Sequence, residues 1–209
     1  MGNVSAQKTC GLWSSPISAE MVTLSSPNLY FLKEQNNNLY WVESRPWDKG
    51  RNVIMCRRKD GTTHDLIPAP FSHLSKVHEY GGCAYAVHSD FLYFVNASDQ
   101  RIYQINLYSG ERPLPITNDD SWRYVDLTIN HNENQLIAVG EWHNGGKEPE
   151  NHIVGIDLNG FNPTFSKTVV LVSGSDFFAY PRLNPTGNQL CWIQWQHPNM
   201  PWDQSELML

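Results

Sequence analysis

Helical periodicity is the first thing this sequence lacks. No segment longer than about ten residues places its apolar side chains at the 3.6-residue interval of a helix face, so no substantial helix is expected. Charge is scarce too: Asp, Glu, Lys and Arg make up 17% of the 209 residues, and the balance is acidic at −6. That balance excludes nucleic acid or an anionic membrane surface as the main partner, since both need a basic face. No apolar run approaches the roughly 18 residues of a membrane span. The first residues show no basic stretch followed by an apolar one, and a start resembling a myristoylation signal has Ala6 where Ser or Thr is needed. A cytoplasmic location without a membrane partner is therefore expected. The four cysteines, Cys10, Cys56, Cys83 and Cys191, are far apart and form no C-x-x-C pair. Three of them, Cys56, Cys83 and Cys191, lie in apolar strand-like runs, which favours buried thiols over a disulfide or a metal site. No cofactor is expected.

What is present is aromatic and repetitive. Phe, Trp and Tyr supply 12% of the chain, with eight tryptophans, a composition suited to packed sheet faces. Short apolar runs recur at Leu39-Tyr40-Trp41-Val42, Leu92-Tyr93-Phe94-Val95, Leu136-Ile137-Ala138-Val139 and Leu190-Cys191-Trp192-Ile193, with starts 53, 44 and 54 residues apart. Each follows a polar turn, such as Gln35-Asn36-Asn37-Asn38 or Thr186-Gly187-Asn188-Gln189. A second series keeps the same phase: runs at Ile54, Ile102 and Ile153 lead to Gly61, Gly110 and Gly160, which are 49 and 50 residues apart. Glycine ends such strands because it accepts positive φ without a steric penalty.

A period of about 50 residues holds four short strands in an antiparallel meander, and one such sheet cannot bury both of its faces. Stacking the sheets around an axis solves that problem, so the expected fold is an all-β propeller of about four blades. A β-sandwich also has short, regularly spaced strands, but it does not repeat its sequence at this period. Residues 1–21 read as an N-terminal extension, and blades are expected at 22–68, 77–116, 124–172 and 177–209. The last is incomplete, because the chain stops within the apolar run Glu206-Leu207-Met208-Leu209. An unfinished blade leaves a sheet edge open, so a truncated sequence and self-association through open blade edges are expected.

Three stretches carry a family resemblance: Trp13-Ser14-Ser15-Pro16-Ile17-Ser18-Ala19-Glu20, Val77-His78-Glu79-Tyr80-Gly81-Gly82 and Tyr124-Val125-Asp126-Leu127. Two more specific ones are Tyr180-Pro181-Arg182-Leu183-Asn184-Pro185-Thr186-Gly187 and His197-Pro198-Asn199-Met200-Pro201-Trp202-Asp203. From about Gly11 onward the chain resembles the N-terminal propeller of prolyl oligopeptidase-family serine peptidases, in the branch of acylaminoacyl-peptidase and dipeptidyl-aminopeptidase-like proteins. The resemblance implies a parent with seven or eight blades and an α/β-hydrolase domain that carries the serine nucleophile. It also implies a peptide substrate that reaches the active site past the propeller, which acts as a gate. No Gly-x-Ser-x-Gly occurs in these residues, so no catalytic residue is carried over. The competing function is a free-standing propeller that serves as a protein-interaction module. A sugar- or metal-binding enzyme in the propeller tunnel has no motif behind it.

Two segments qualify as substrate-cavity candidates. Glu148 and Glu150 lie in a Gly- and Pro-marked loop with His143 and His152, and they invite comparison with the glutamates that hold a substrate amino terminus in some peptidases of this family. The flanking residues do not match that motif, and a metal reading of the same cluster has nothing beyond residue type behind it. In the second loop, fixed by two prolines, His197, Asn199, Trp202 and Asp203 suit either a cavity wall or local structure. Asn199 and Asp203 would then cap turns, and Trp202 would pack on a blade edge.

Overall fold

In the computed structural model, residues 14–19, 21, 26–146, 148–159 and 165–209 are described. The first residue expected in blade 1, Val22, lies outside them, as do Cys10 and Gly160. The described residues form four antiparallel sheets arranged as a four-blade β-propeller, with almost no helix. The first sheet comprises β1 (Asn28–Gln35), β2 (Asn38–Arg45), β3 (Arg51–Arg57) and β4 (Thr63–Asp65). The second holds β5 (Tyr85–His88), β6 (Phe91–Val95), β7 (Ile102–Asn106) and β8 (Leu114–Pro115). In the third are β9 (Trp122–Asn130), β10 (Gln135–Trp142), β11 (Glu150–Asp157) and β12 (Thr168–Val172), and in the fourth β13 (Phe177–Leu183), β14 (Leu190–Trp195) and β15 (Glu206–Met208). Strand order follows chain order in every sheet, so each is a meander. Single 3-10 turns occur at Pro46–Asp48 and Val77–Glu79. No described helix is long and apolar enough to cross a membrane.

Local chemistry closes the hairpins. Asn36 and Asn37, between β1 and β2, both take positive φ, the pairing that lets a two-residue turn follow the right-handed twist of its strands. The second sheet shows how stacking builds the core. Tyr85, Val87, Leu92, Phe94 and Ile105 pack with Tyr40, Val42, Val53 and Ile54 of the first sheet. Their alternates Ala86, Tyr93, Val95 and Ile102 pack instead with Tyr124, Leu136 and Ile153 of the third. One strand period of two thus serves two interfaces, and each fully buried side chain contributes about 1.5–3 kcal/mol. Phe178 and Trp195 continue the core into the fourth sheet.

The first strand of three sheets carries a bulge with a non-glycine residue in the left-handed region: Phe31 (φ 56°), Asp126 (φ 56°) and Tyr180 (φ 53°). Bulges re-aim side chains, and these three positions repeat in register from sheet to sheet. In the second sheet the corresponding approach is made by Gly81 and Gly82. Gly81 has φ 71° and lies so close to the Ser75 carbonyl oxygen that a Cβ would overlap it, and a Cβ on Gly82 would fall 2.8 Å from Val125 Cγ2.

Candidate functional site

Two cavities share His78: both are lined by the third and fourth sheets and the segment leading into the second, and one also reaches Phe31 of the first. The larger, about 650 Å³, is rich in carboxylates: Glu79, Glu141, Glu148, Glu150 and Asp176 line it with His78, His152 and His197. The second, about 560 Å³, is aromatic. Phe31, Tyr80, Tyr180, Trp195 and Trp202 line it with Asp126 and Arg182, and His78 borders both cavities. All three bulged residues face this second cavity.

His78 is held in one orientation. Its backbone takes φ 52°, and its N–H donates to Glu141 Oε2 at 2.7 Å. Its ring contacts Phe177 and Trp195, with centroids 5.3 and 5.7 Å away. The Asn151 amide donates through Nδ2 to the Asp176 carbonyl (2.8 Å), which leaves its Oδ1 to accept from His78 Nε2 at 3.1 Å. Tyr80 OH then donates to Nδ1 at 3.3 Å. Burial pushes the His78 pKa down against the opposing pull of Glu141, so the ring is neutral at pH 7.

Glu141, only 4% exposed, anchors the floor. Its Oε1 accepts from His143 Nε2 at 2.6 Å and Arg123 Nη1 at 3.3 Å. Arg123 also reaches Glu79 Oε1 at 2.9 Å, and this guanidinium holds the Glu79 carboxyl below the usual carboxylate range. In the aromatic cavity, Asp126 accepts the Tyr180 N–H at 2.9 Å, and burial raises its pKa.

Of the residues singled out from sequence, Glu148, Glu150 and His197 line the acidic cavity, with His197 Nε2 2.9 Å from Glu148 Oε1. The His197 N–H donates to Asp176 Oδ2 at 2.8 Å. Trp202, 76% exposed, borders the aromatic cavity. Asn199 and Asp203 line neither cavity: Asp203 Oδ2 accepts the Met200 N–H (3.0 Å) and Asn199 Nδ2 reaches Gln204 Oε1 (3.4 Å), so both fasten their own loop. Glu79, Glu141 and Asp176 were not anticipated. Among the described residues, no three His, Cys, Asp or Glu side chains are grouped to hold a metal, and the hydroxyl partners of histidine rings are Thr62 and Tyr80.

No family model and no curated protein matches this chain. Solved structures do. A puromycin-hydrolysing peptidase of Mycobacterium tuberculosis is 31% identical over 93% of the chain, with a TM-score of 0.82. A serine-to-alanine mutant of a puromycin hydrolase, complexed with PGG, is 27% identical over 93%, with a TM-score of 0.83. TolB from Acinetobacter baumannii, 14% identical with a TM-score of 0.52, shares the fold alone. The chain spans 32% of the length of each of the two peptidases. It matches the propeller part of a peptidase of the prolyl oligopeptidase family.

Proposed function

We propose that this chain is the gating and scaffold portion of a peptidase and that its acidic cavity receives the free amino terminus of a short peptide. The match to puromycin-hydrolysing peptidases over 93% of the chain carries this reading. A rigid ring of packed sheets admits small or extended peptides and turns folded proteins away by size. Five carboxylates around one cavity suit an ammonium group, and they disfavour a blocked, acylated terminus that would have to shed water without gaining an ion pair. A free amino terminus is what a dipeptidyl-aminopeptidase-like parent, rather than an acylaminoacyl-peptidase-like one, would take. Serine-hydrolase chemistry would come from an α/β-hydrolase domain. A cytoplasmic location goes with the proposal and is checked by fractionating cells that express the tagged chain.

Calorimetric titration with a tripeptide and its N-acetylated counterpart tests the cavity. The free amine is expected to bind at least about tenfold more tightly, a difference of about 1.4 kcal/mol. Glu150→Gln should narrow the gap, and the 209-residue chain should leave both peptides uncleaved. Equal affinity for the two peptides would remove the amino-terminus reading. Turnover abolished by a single substitution within this chain would remove the gating one.

One observation favours a second reading, a propeller that associates with another protein surface. The outward face of the first sheet exposes Leu29 (64%) and Leu39 (39%) around a hollow of about 350 Å³ that also includes Phe31 and Trp41. Contiguous apolar surface of this kind marks association sites. Sedimentation velocity from low to high micromolar is expected to show dimers or larger species, and Leu29→Lys to shift them toward monomer. A wild-type chain that stays monomeric throughout would argue against it.

A further inference from the structure

Away from both cavities, the second and third sheets bring two histidines together. His88 ends β5, just before the turn at Ser89 (φ 50°), and His131 follows β9 in the turn containing Asn134 (φ 48°). Their Nδ1 atoms are 3.0 Å apart, their ring centroids 4.7 Å, and their planes inclined by 54°. His131 is exposed and His88 half-buried, so the pair is open to solvent. We propose that His88 and His131 form a two-imidazole site for a divalent transition-metal ion of the Cu(II) or Ni(II) type, clamping the second sheet to the third.

The distances support convergence on one ion. Imidazole nitrogens bind such ions at about 2.0–2.1 Å, so two of them 3.0 Å apart subtend roughly 94° at the metal. That is the right-angle pair of a tetragonal or square-planar ion, whereas a tetrahedral ion needs the nitrogens about 3.3 Å apart. The centroids add an independent check. A ring centre lies about 1.15 Å behind its nitrogen, so rings aimed at a shared ion place their centres about 4.7 Å apart, and rings facing along a straight hydrogen bond about 5.3 Å. The observed 4.7 Å matches the first arrangement in distance and is shorter than the straight one.

Without metal, one nitrogen donates its proton to the other. An ion takes that place: the Nδ1 proton leaves to solvent, the same ring takes one up at Nε2, so both ligands are neutral imidazoles, and water fills the ion's remaining positions. His88 is paired with Phe91, and Asn130, next to His131, is paired with Gln135, so one ring projects from a strand end and the other from the residue that follows one.

Titration of the full chain with Cu(II) and with Ni(II) at pH 7.5, followed by calorimetry and by electron paramagnetic resonance of the copper form, tests the site. One ion per chain is expected at the tightest step, with a two-nitrogen copper signal. His88→Gln and His131→Gln should each weaken that step at least about tenfold, the loss of one ligand bond. Circular dichroism of both variants should match the parent, because neither side chain belongs to the core. Zn(II) should bind more weakly than Ni(II), having to open the pair. Unchanged affinity in either variant overturns the proposal, since a two-ligand site needs both rings, and so does a copper signal with a single nitrogen.

Discussion

Replacing Glu141 with Ala is expected to cost about 2–4 kcal/mol of folding stability, the largest loss from any single side chain of the acidic cavity. One carboxylate at 4% exposure satisfies three donors from three parts of the chain: the His78 backbone N–H, Arg123 and His143. Truncation leaves the Arg123 guanidinium facing a vacated, half-dry space with only Glu79 and the Lys76 carbonyl as partners. Removing one partner of a fully buried pair costs about 3–5 kcal/mol. The figure here is smaller because Arg123 and His143 keep some contact with water, at 24% and 30% side-chain exposure. Glu141→Gln separates charge from hydrogen bonding. Its amide oxygen can still accept the His78 N–H, so the loss should fall to about 1–2 kcal/mol. Urea denaturation of the two variants at pH 7 measures both values, and equal losses would mean that the charge, not the bond to His78, holds the floor in place.

The contrast between Glu141 and the repeat shows what a sequence makes legible. Leu39, Leu92, Leu136 and Leu190, picked out by spacing alone, each fall in the second strand of a sheet, and Ile54, Ile102 and Ile153 each fall in the third. Periodic burial writes itself into sequence because every blade must solve the same packing problem. Gly61 and Gly110 were legible for a similar reason, since positive φ selects glycine. The bulges at Phe31, Asp126 and Tyr180 were hidden, because none of them uses glycine, the residue that marks a positive φ most clearly. The acidic cavity was half visible. Glu148 and Glu150 stood out in a loop marked by glycine and proline, but Glu141 reads as one residue of an ordinary strand, and its contact with His78 spans 63 positions. Contacts between sheets have no local signature. At Asn199 and Asp203 the loop admitted both a capping and a cavity reading, and the hydrogen bonds they make are within the loop.

Stability should also fall as pH drops from about 6.5 to about 4, with His73 responsible for about 3 kcal/mol of that loss. His73 is fully buried beside Tyr85 and Phe31, and its Nε2 accepts the Ala84 N–H at 3.2 Å, so the ring is neutral with its proton on Nδ1. Burial, reinforced by the nearby Lys33 charge, pushes its pKa from 6.5 down to about 4. Between those two values the unfolded chain takes up a proton that the folded chain refuses, which favours unfolding. The contribution is fully present above pH 6.5 and lost by pH 4, and a shift of this size is worth about 3 kcal/mol at 1.36 kcal/mol per unit. His78 and His152 are depressed by burial too and act in the same direction, so the wild-type curve alone cannot isolate His73. His73→Gln can: its amide oxygen can accept the Ala84 N–H without titrating. The difference in unfolding free energy between parent and variant should therefore move by about 3 kcal/mol in the variant's favour from pH 7 to pH 4. A difference that stays constant across that range would mean that the ring takes up its proton in the folded state, with the Ala84 N–H turned to another acceptor.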